Sequence, residues 1–174
     1  MKKLNQIAVV LCFLFWSNVF FSQTVFDKFD NQDDITSIIV NKKMFALMSK
    51  IDAKDKEGQQ FMSLIKKLDN LKVYMTTSDR KSDEMRLTAD KFVKSAGLEE
   101  LMRITEKGKN VKIFVKSGGG EAQIKELLMF IEGAGQEQSV LLSLTGDFDL
   151  DELSVLTDKM NLPGGSDLKK AGKK

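Results

Sequence analysis

Beyond residue 23 the chain alternates between two rhythms of apolar positions, one with a helical repeat and one with the alternation of a strand. Thr24 to Asp34 is polar and acidic with Phe26 and Phe29 and reads as a leading segment with a short helical turn. Ile35 to Val40, ITSIIV, is dense in β-branched residues, which predicts a buried strand. Asn41 is placed to cap a helix in which Met44, Leu47, Met48 and Ile51 fall at i, i+3, i+4 and i+7, one apolar face. Asp52 to Gly58 is a charged break. Phe61, Leu64, Ile65 and Leu68 then repeat the helical spacing. Leu71 to Thr77, LKVYMTT, has strand composition. Ser78 or Asp79 starts a third helix with Met85, Ala89, Phe92, Val93 and Ala96 as its core face, and Gly97 ends it.

After Gly97 the period drops to two. LEELMRITE, VKIFVK, IKELLMFIE and SVLLSLTG are separated by the short glycine-containing turns KGKN, SGGG and GAGQEQ. Four strands joined this way make an antiparallel meander. In VKIFVK, Val111, Ile113 and Val115 face one way and Lys112 and Lys116 the other, so this strand is expected to be half exposed. VLLSL is apolar on both faces apart from Ser143 and belongs near the middle of the sheet. Asp151 to Met160 reads as a last helix using Leu153, Leu156 and Met160. The order is strand, two helices, strand, helix, four strands, helix. That is an α+β domain: an antiparallel sheet dominated by a C-terminal four-strand meander, with the helices packed on one face.

Residues 1–22 stand apart. Lys2 and Lys3 precede an unbroken apolar run from Ile7 to Trp16, extended by Val19, Phe20 and Phe21, and the chain turns polar at Ser22 and Gln23. This is the layout of a secretory signal peptide, short for a membrane span, with cleavage expected near Ser22/Gln23. Phe20 is bulky where a small residue is usual, and an uncleaved anchor is the competing reading. Residues 23–161 then form one α+β domain, and 162–174, LPGGSDLKKAGKK from Leu162, form a basic tail with little to bury, expected to be disordered.

Cleavage changes the chemistry on offer. Lys2, Lys3, Cys12 and Trp16 leave with the leader, so 25 basic residues balance 25 acidic ones. A neutral domain without a basic stripe is a poor binder of nucleic acid. Cys12 as a lipidation site is disfavoured by Leu11 before it and by its place inside the apolar run. Membrane association is therefore expected only if the leader is retained or lipidated. Without Cys12 there is no thiol and no disulfide. The chain also has no histidine. That excludes a Ser-His-Asp triad, a Cys-His pair and any His-ligated metal. No cofactor is expected.

The densest chemistry lies in VLLSLTGDFDLDEL, residues 140–153, where Asp147, Asp149, Asp151 and Glu152 fall within six positions. Asp147, Asp149 and Asp151 match the first acids of a calcium loop, but position 6 is Glu152 instead of glycine and position 12 is Asp158 instead of glutamate. Asp149 followed by Glu152 is the spacing of a capping box, with acids in the first helical turn. The two readings are a cation site at Asp147, Asp149 and Asp151, and the start of the last helix; capping accounts for more of the acids. SGGGE, residues 117–121, lacks the Lys and Ser/Thr of a phosphate loop and reads as a hairpin turn. DRKSDE, residues 79–84, reads as a solvated helix start. Tyr74 has no partner visible in sequence. Eight methionines remain beyond the leader and fall mostly on core faces, where Met is adaptable packing or the lining of an apolar groove.

The exported leader followed by FDKF, ITSIIVNKKMFALM, LKVYMTT, LEELMRI, VKIFVK and LLSLTGDFDLDEL resembles the domain of unknown function 4252 family, small exported proteins of Gram-negative bacteria. The likeness runs over about residues 25–160 and lies in the order of segments. The resemblance implies an exported, single-domain protein, with Gly146 and the acids after it belonging to the shared fold. Many members look like envelope lipoproteins, and this chain departs from them by lacking a proper lipobox. The expectation is a non-enzymatic periplasmic or envelope-associated module that binds an envelope protein or an apolar ligand. The alternative is a cation-dependent hydrolase or calcium-binding protein using Asp147, Asp149 and Asp151.

Overall fold

A computed structural model describes residues 24–51, 53–106, 108–120, 122–133 and 137–149, together with 152, 153 and 156. The leader, the greater part of the expected last helix and the basic tail lie outside the described residues. Among the described residues a 3-10 helix at Thr24–Phe29 leads into six strands and three α-helices. These are β1 (Thr36–Asn41), α1 (Lys42–Met48), α2 (Lys56–Lys67), β2 (Leu68–Thr76), α3 (Asp79–Ala96), β3 (Glu99–Glu106), β4 (Lys109–Ser117), β5 (Gln123–Glu132) and β6 (Ser139–Asp149).

The helix boundaries follow from local chemistry. The Asn41 carboxamide accepts the Met44 N–H at 3.0 Å and starts α1. The Asp55 carboxylate takes the Gly58 N–H and starts α2 inside what reads in sequence as a charged break. α3 stops at Gly97, which adopts φ +68°, a left-handed conformation that glycine enters without a Cβ clash.

All strand pairs are antiparallel, in the order β1-β2-β6-β5-β4-β3. The meander β3 to β6 is as expected, and β6 is internal. Strand alternation divides the apolar side chains between two cores. Leu71, Val73, Ile113, Leu127, Met129, Leu142 and Leu144 pack beneath Phe45 of α1 and Phe61, Leu64 and Ile65 of α2. Tyr74, Phe114, Leu128, Phe130 and Leu141 pack on the other face beneath Phe26 and Phe29 of the 3-10 helix and Met85, Ala89 and Phe92 of α3.

The α+β class therefore holds, but the single helix layer does not: helices cover both faces. The reason is topological. β2 is second in the sheet and β3 is at the far edge, so α3 must carry the chain across the whole sheet. It does so on the face that α1 and α2 leave open. The short 3-10 helix joins it there, fixed by edge-on contacts of Phe26 with Phe92 at 5.0 Å and of Phe29 with Tyr74 at 5.6 Å.

β1 departs from expectation too. ITSIIV reads as a buried strand, yet β1 is an edge strand with Thr36 to Ile39 and Asn41 exposed. Its composition reflects strand propensity without burial.

Candidate functional site

β6 does not end at Gly146 but continues through Asp147, Phe148 and Asp149, with Phe148 buried and the two acids exposed. Lys125 Nζ of the neighbouring β5 lies 2.6 Å from Asp147 Oδ2, and Gln123 donates to Asp147 Oδ1. The bond from Lys125 holds the Asp147 carboxyl below its ordinary value. Asp149 N–H donates to Glu152 Oε2 at 3.0 Å, which is one half of a capping box. Glu152 also accepts from Lys67 Nζ at 2.8 and 2.9 Å, and Lys67 lies 3.8 Å from Asp149 Oδ2. The bond to Glu152 raises the Lys67 pKa. Asp151 lies outside the described residues.

Asp147 and Asp149 are thus drawn to different lysines on different elements. The Lys125–Asp147 pair is close at 2.6 Å, whereas Lys67 reaches Asp149 only at 3.8 Å. Among the described residues no group of three or more Asp, Glu, His or Cys is positioned to hold a metal.

Two further acids of the leading segment meet β2. Lys72 pairs with Asp27, Tyr74 donates to Asp30 Oδ1 at 2.8 Å, and the Thr76 hydroxyl donates to the Asp34 carbonyl at 2.7 Å. Residues 72, 74 and 76 share one face of β2, so alternate positions of one strand clamp successive turns of the leading segment. Tyr74 is fully buried, which suits a structural anchor and not an exposed proton donor.

A cleft of about 220 Å³ opens at the N-terminus of α3, lined by Asp79, Asp83, Glu132 and Glu137 with Ser82 and Ser139. The Ser82 and Ser139 hydroxyls bond each other at 2.7 Å, and Arg86 bridges Asp83 at 2.8 Å and Glu132 at 3.6 Å. With no histidine in the chain, neither serine has the usual base to activate it.

The feature that sequence reasoning missed is apolar. In α1 it is Phe45 that is buried, with Met48 half-buried against the same core. Met44 and Leu47, with Ile51 just past the helix, are exposed, although their spacing marks them as part of a core face. At 100° per residue Met44 sits about 100° and Leu47 about 160° around the helix from the buried Phe45. KKMFALM has more apolar positions than one face of a two-turn helix can bury, and that surplus is the signal in the sequence. Ile38 and Ile39 on the adjoining edge strand are exposed on opposite faces of the sheet. Exposure across this group runs from 39% at Ile38 to 63% at Ile51. A cleft of about 340 Å³ adjoins it, lined by Ile51, Ala53 and Met62 together with Ser49, Gln59, Ser63 and Lys66. Lys42, Lys43 and Lys50 belong to the same stretch of chain, Lys42 held by Asp69 at 2.7 Å.

A six-stranded antiparallel sheet with a core on each face defines an α+β domain. The chain belongs to the family described as Domain of unknown function (DUF4252), whose model matches residues 29–156. That span takes in the whole sheet and, apart from Val25 and Phe26, both cores. No curated protein and no solved structure matches the chain.

Proposed function

We propose that the protein is an exported, envelope-associated module that binds a protein partner through β1 and the apolar stripe of α1, and carries out no chemistry of its own. One observation carries this reading: Ile38, Met44, Leu47 and Ile51 stand exposed on the α1 side of the sheet, and Ile39 on the opposite face of the same edge strand. Grouped exposed apolar side chains mark interaction sites. Covering five such side chains, each about half exposed, returns on the order of 4–7 kcal/mol before ordering costs. A protein surface fits this better than a small apolar ligand, because the adjoining cleft is open and lined by Ser49, Gln59, Ser63 and Lys66 as well as by apolar side chains. Export is supported by the leader layout of residues 1–22.

A photo-reactive residue at Leu47, with Leu87 of α3 as an equally exposed control, tests the surface in living cells. The expected result is a discrete protein adduct from position 47 and none from 87. Adducts from both positions alike, or from neither, refute it. Intact mass of the same sample tests the leader: a chain starting at or near Gln23 supports export with cleavage, and one starting at Met1 refutes it.

A further inference from the structure

The two edges of the sheet are built differently. In β3, Glu99, Glu100, Arg103 and Glu106 make up half of the eight residues, and Arg103 is clamped on Glu100 at 2.6 Å. Charge on an edge strand discourages the addition of another strand. β1, TSIIVN, has no charged residue and no proline in six positions, and its outer side has no strand partner among the described residues. It is an unguarded edge with Ile38 and Ile39 displayed on its two faces.

The charges lie immediately outside it. Asp33 and Asp34 precede the strand and Lys42 and Lys43 follow it, all four exposed. Acid at one end and base at the other make the segment complementary to itself when it is inverted.

We propose that β1 pairs antiparallel with β1 of a second copy, joining two six-stranded sheets into one continuous sheet. This rests on the reading of β1 and α1 as the partner surface, and names the partner. A two-fold axis normal to the sheet keeps each face continuous across the junction, so paired residues must come from the same face. That allows only registers in which the two residue numbers sum to an even value. With Ile38 opposite Ile38 of the second copy, Ser37 meets Ile39 and Thr36 meets Val40. Just beyond the strand ends, the turn that carries Asp33 and Asp34 then faces the start of α1 that carries Lys42 and Lys43, twice by symmetry. An unrelated strand would satisfy the open backbone groups of β1 but would have no reason to match this order of charges.

Sedimentation equilibrium of the protein purified from cells that process it, with four variants, tests the pairing. The wild type is expected as a dimer. Ile39→Lys, a substitution at an exposed edge position, is expected as a folded monomer with an unchanged circular dichroism spectrum. Lys42 already serves Asp69, so the charge test uses the other pair. Asp33→Lys and Lys43→Asp each raise the dimer dissociation constant at least several-fold, because each sets like charges together at both ends of the junction. The double reversal restores it.

A dimer that persists in Ile39→Lys, or single reversals that the double variant does not rescue, overturns the proposed junction. A wild type that is monomeric at its highest soluble concentration overturns the second copy as partner. Photo-crosslinking at Ile38 then separates that failure from failure of the surface itself. An adduct with a different protein keeps the partner surface and rejects self-pairing. No protein adduct, together with vesicle binding that is lost in Leu47→Ser, rejects both in favour of a lipid surface.

Discussion

Tyr74 shows how one buried residue can make a measurable statement about the fold. Its ring is fully buried and its hydroxyl donates to the Asp30 carboxylate at 2.8 Å. Burial first, and then the bond and charge of Asp30, raise its pKa far above the ordinary value of 10. A raised phenol pKa means that the folded state holds the proton more tightly than the unfolded chain does. The stability it contributes is complete below pH 10 and is lost as the pH climbs beyond it. Tyr74 is the single tyrosine of the chain, so the phenolate ultraviolet band reports on it alone. The band should stay absent above pH 10 while the native circular dichroism persists, and appear only with alkaline unfolding. A band that titrates near pH 10 in the folded protein would contradict the Asp30 bond. Gly146 makes a second residue-scale case. A Cβ there would lie 2.4 Å from the Lys67 carbonyl oxygen and 2.9 Å from Leu68 Cα, both backbone atoms with little room to move. The position coincides with the irregular register between β2 and β6. Gly146→Ala should therefore lower stability by about 1–3 kcal/mol in denaturant titration; an unchanged midpoint would mean that the strands are not this close.

The elements divide into those that carry the fold and those that are presented by it. The leading segment belongs to the first group. Phe29 is fully buried against Tyr74, between the side-chain clamps at Asp27 and Asp30. Phe29→Ala should cost about 3–5 kcal/mol. Leu47→Ser on the exposed side of α1 should change stability by no more than about 0.5 kcal/mol. Equal losses at the two positions would place the α1 stripe in the core after all. Element order was legible in sequence because it depends on local periodicity: the helical spacing of Phe61, Leu64 and Ile65, the alternation in VKIFVK, the stops at Asn41 and Gly97. What stayed hidden depends on distant partners. Nothing within TSIIVN says that β1 has a neighbour on one side only. Nothing within α3 says which face it covers. Phe45 and the Met44–Leu47 stripe compete for the same role, and only the packing of α1 on the sheet decides between them. The acidic stretch was half legible. The Asp149–Glu152 spacing declared a cap, but the lysines that balance Asp147 and Glu152 come from β5 and α2, 22 and 85 residues away.

At the scale of the whole molecule, a sheet with a core on each face has a stability gradient from its centre to its edges. β5 and β6 are buried on both faces and flanked by strands on both sides, so their amides should exchange with solvent only through global unfolding. β1 is exposed on both faces and, among the described residues, is bonded on one side, to β2 alone. In an isolated copy, half of its amides face outward and should exchange within the fastest class of the sheet. If two copies join through β1, those outward amides gain carbonyl partners while the helices and the other edge, β3, are left as they were. Hydrogen exchange measured across a dilution series should then show protection that depends on protein concentration, confined to residues 36–41 and absent in Ile39→Lys. The side chains alone would gain no such protection from a contact between α1 stripes, since that contact leaves the β1 backbone open to water. Protection of β1 that is the same at every concentration would mean that the edge is covered within one chain. Concentration-dependent protection at α1 without β1 would move the interface to the helix and leave the strand edge unused.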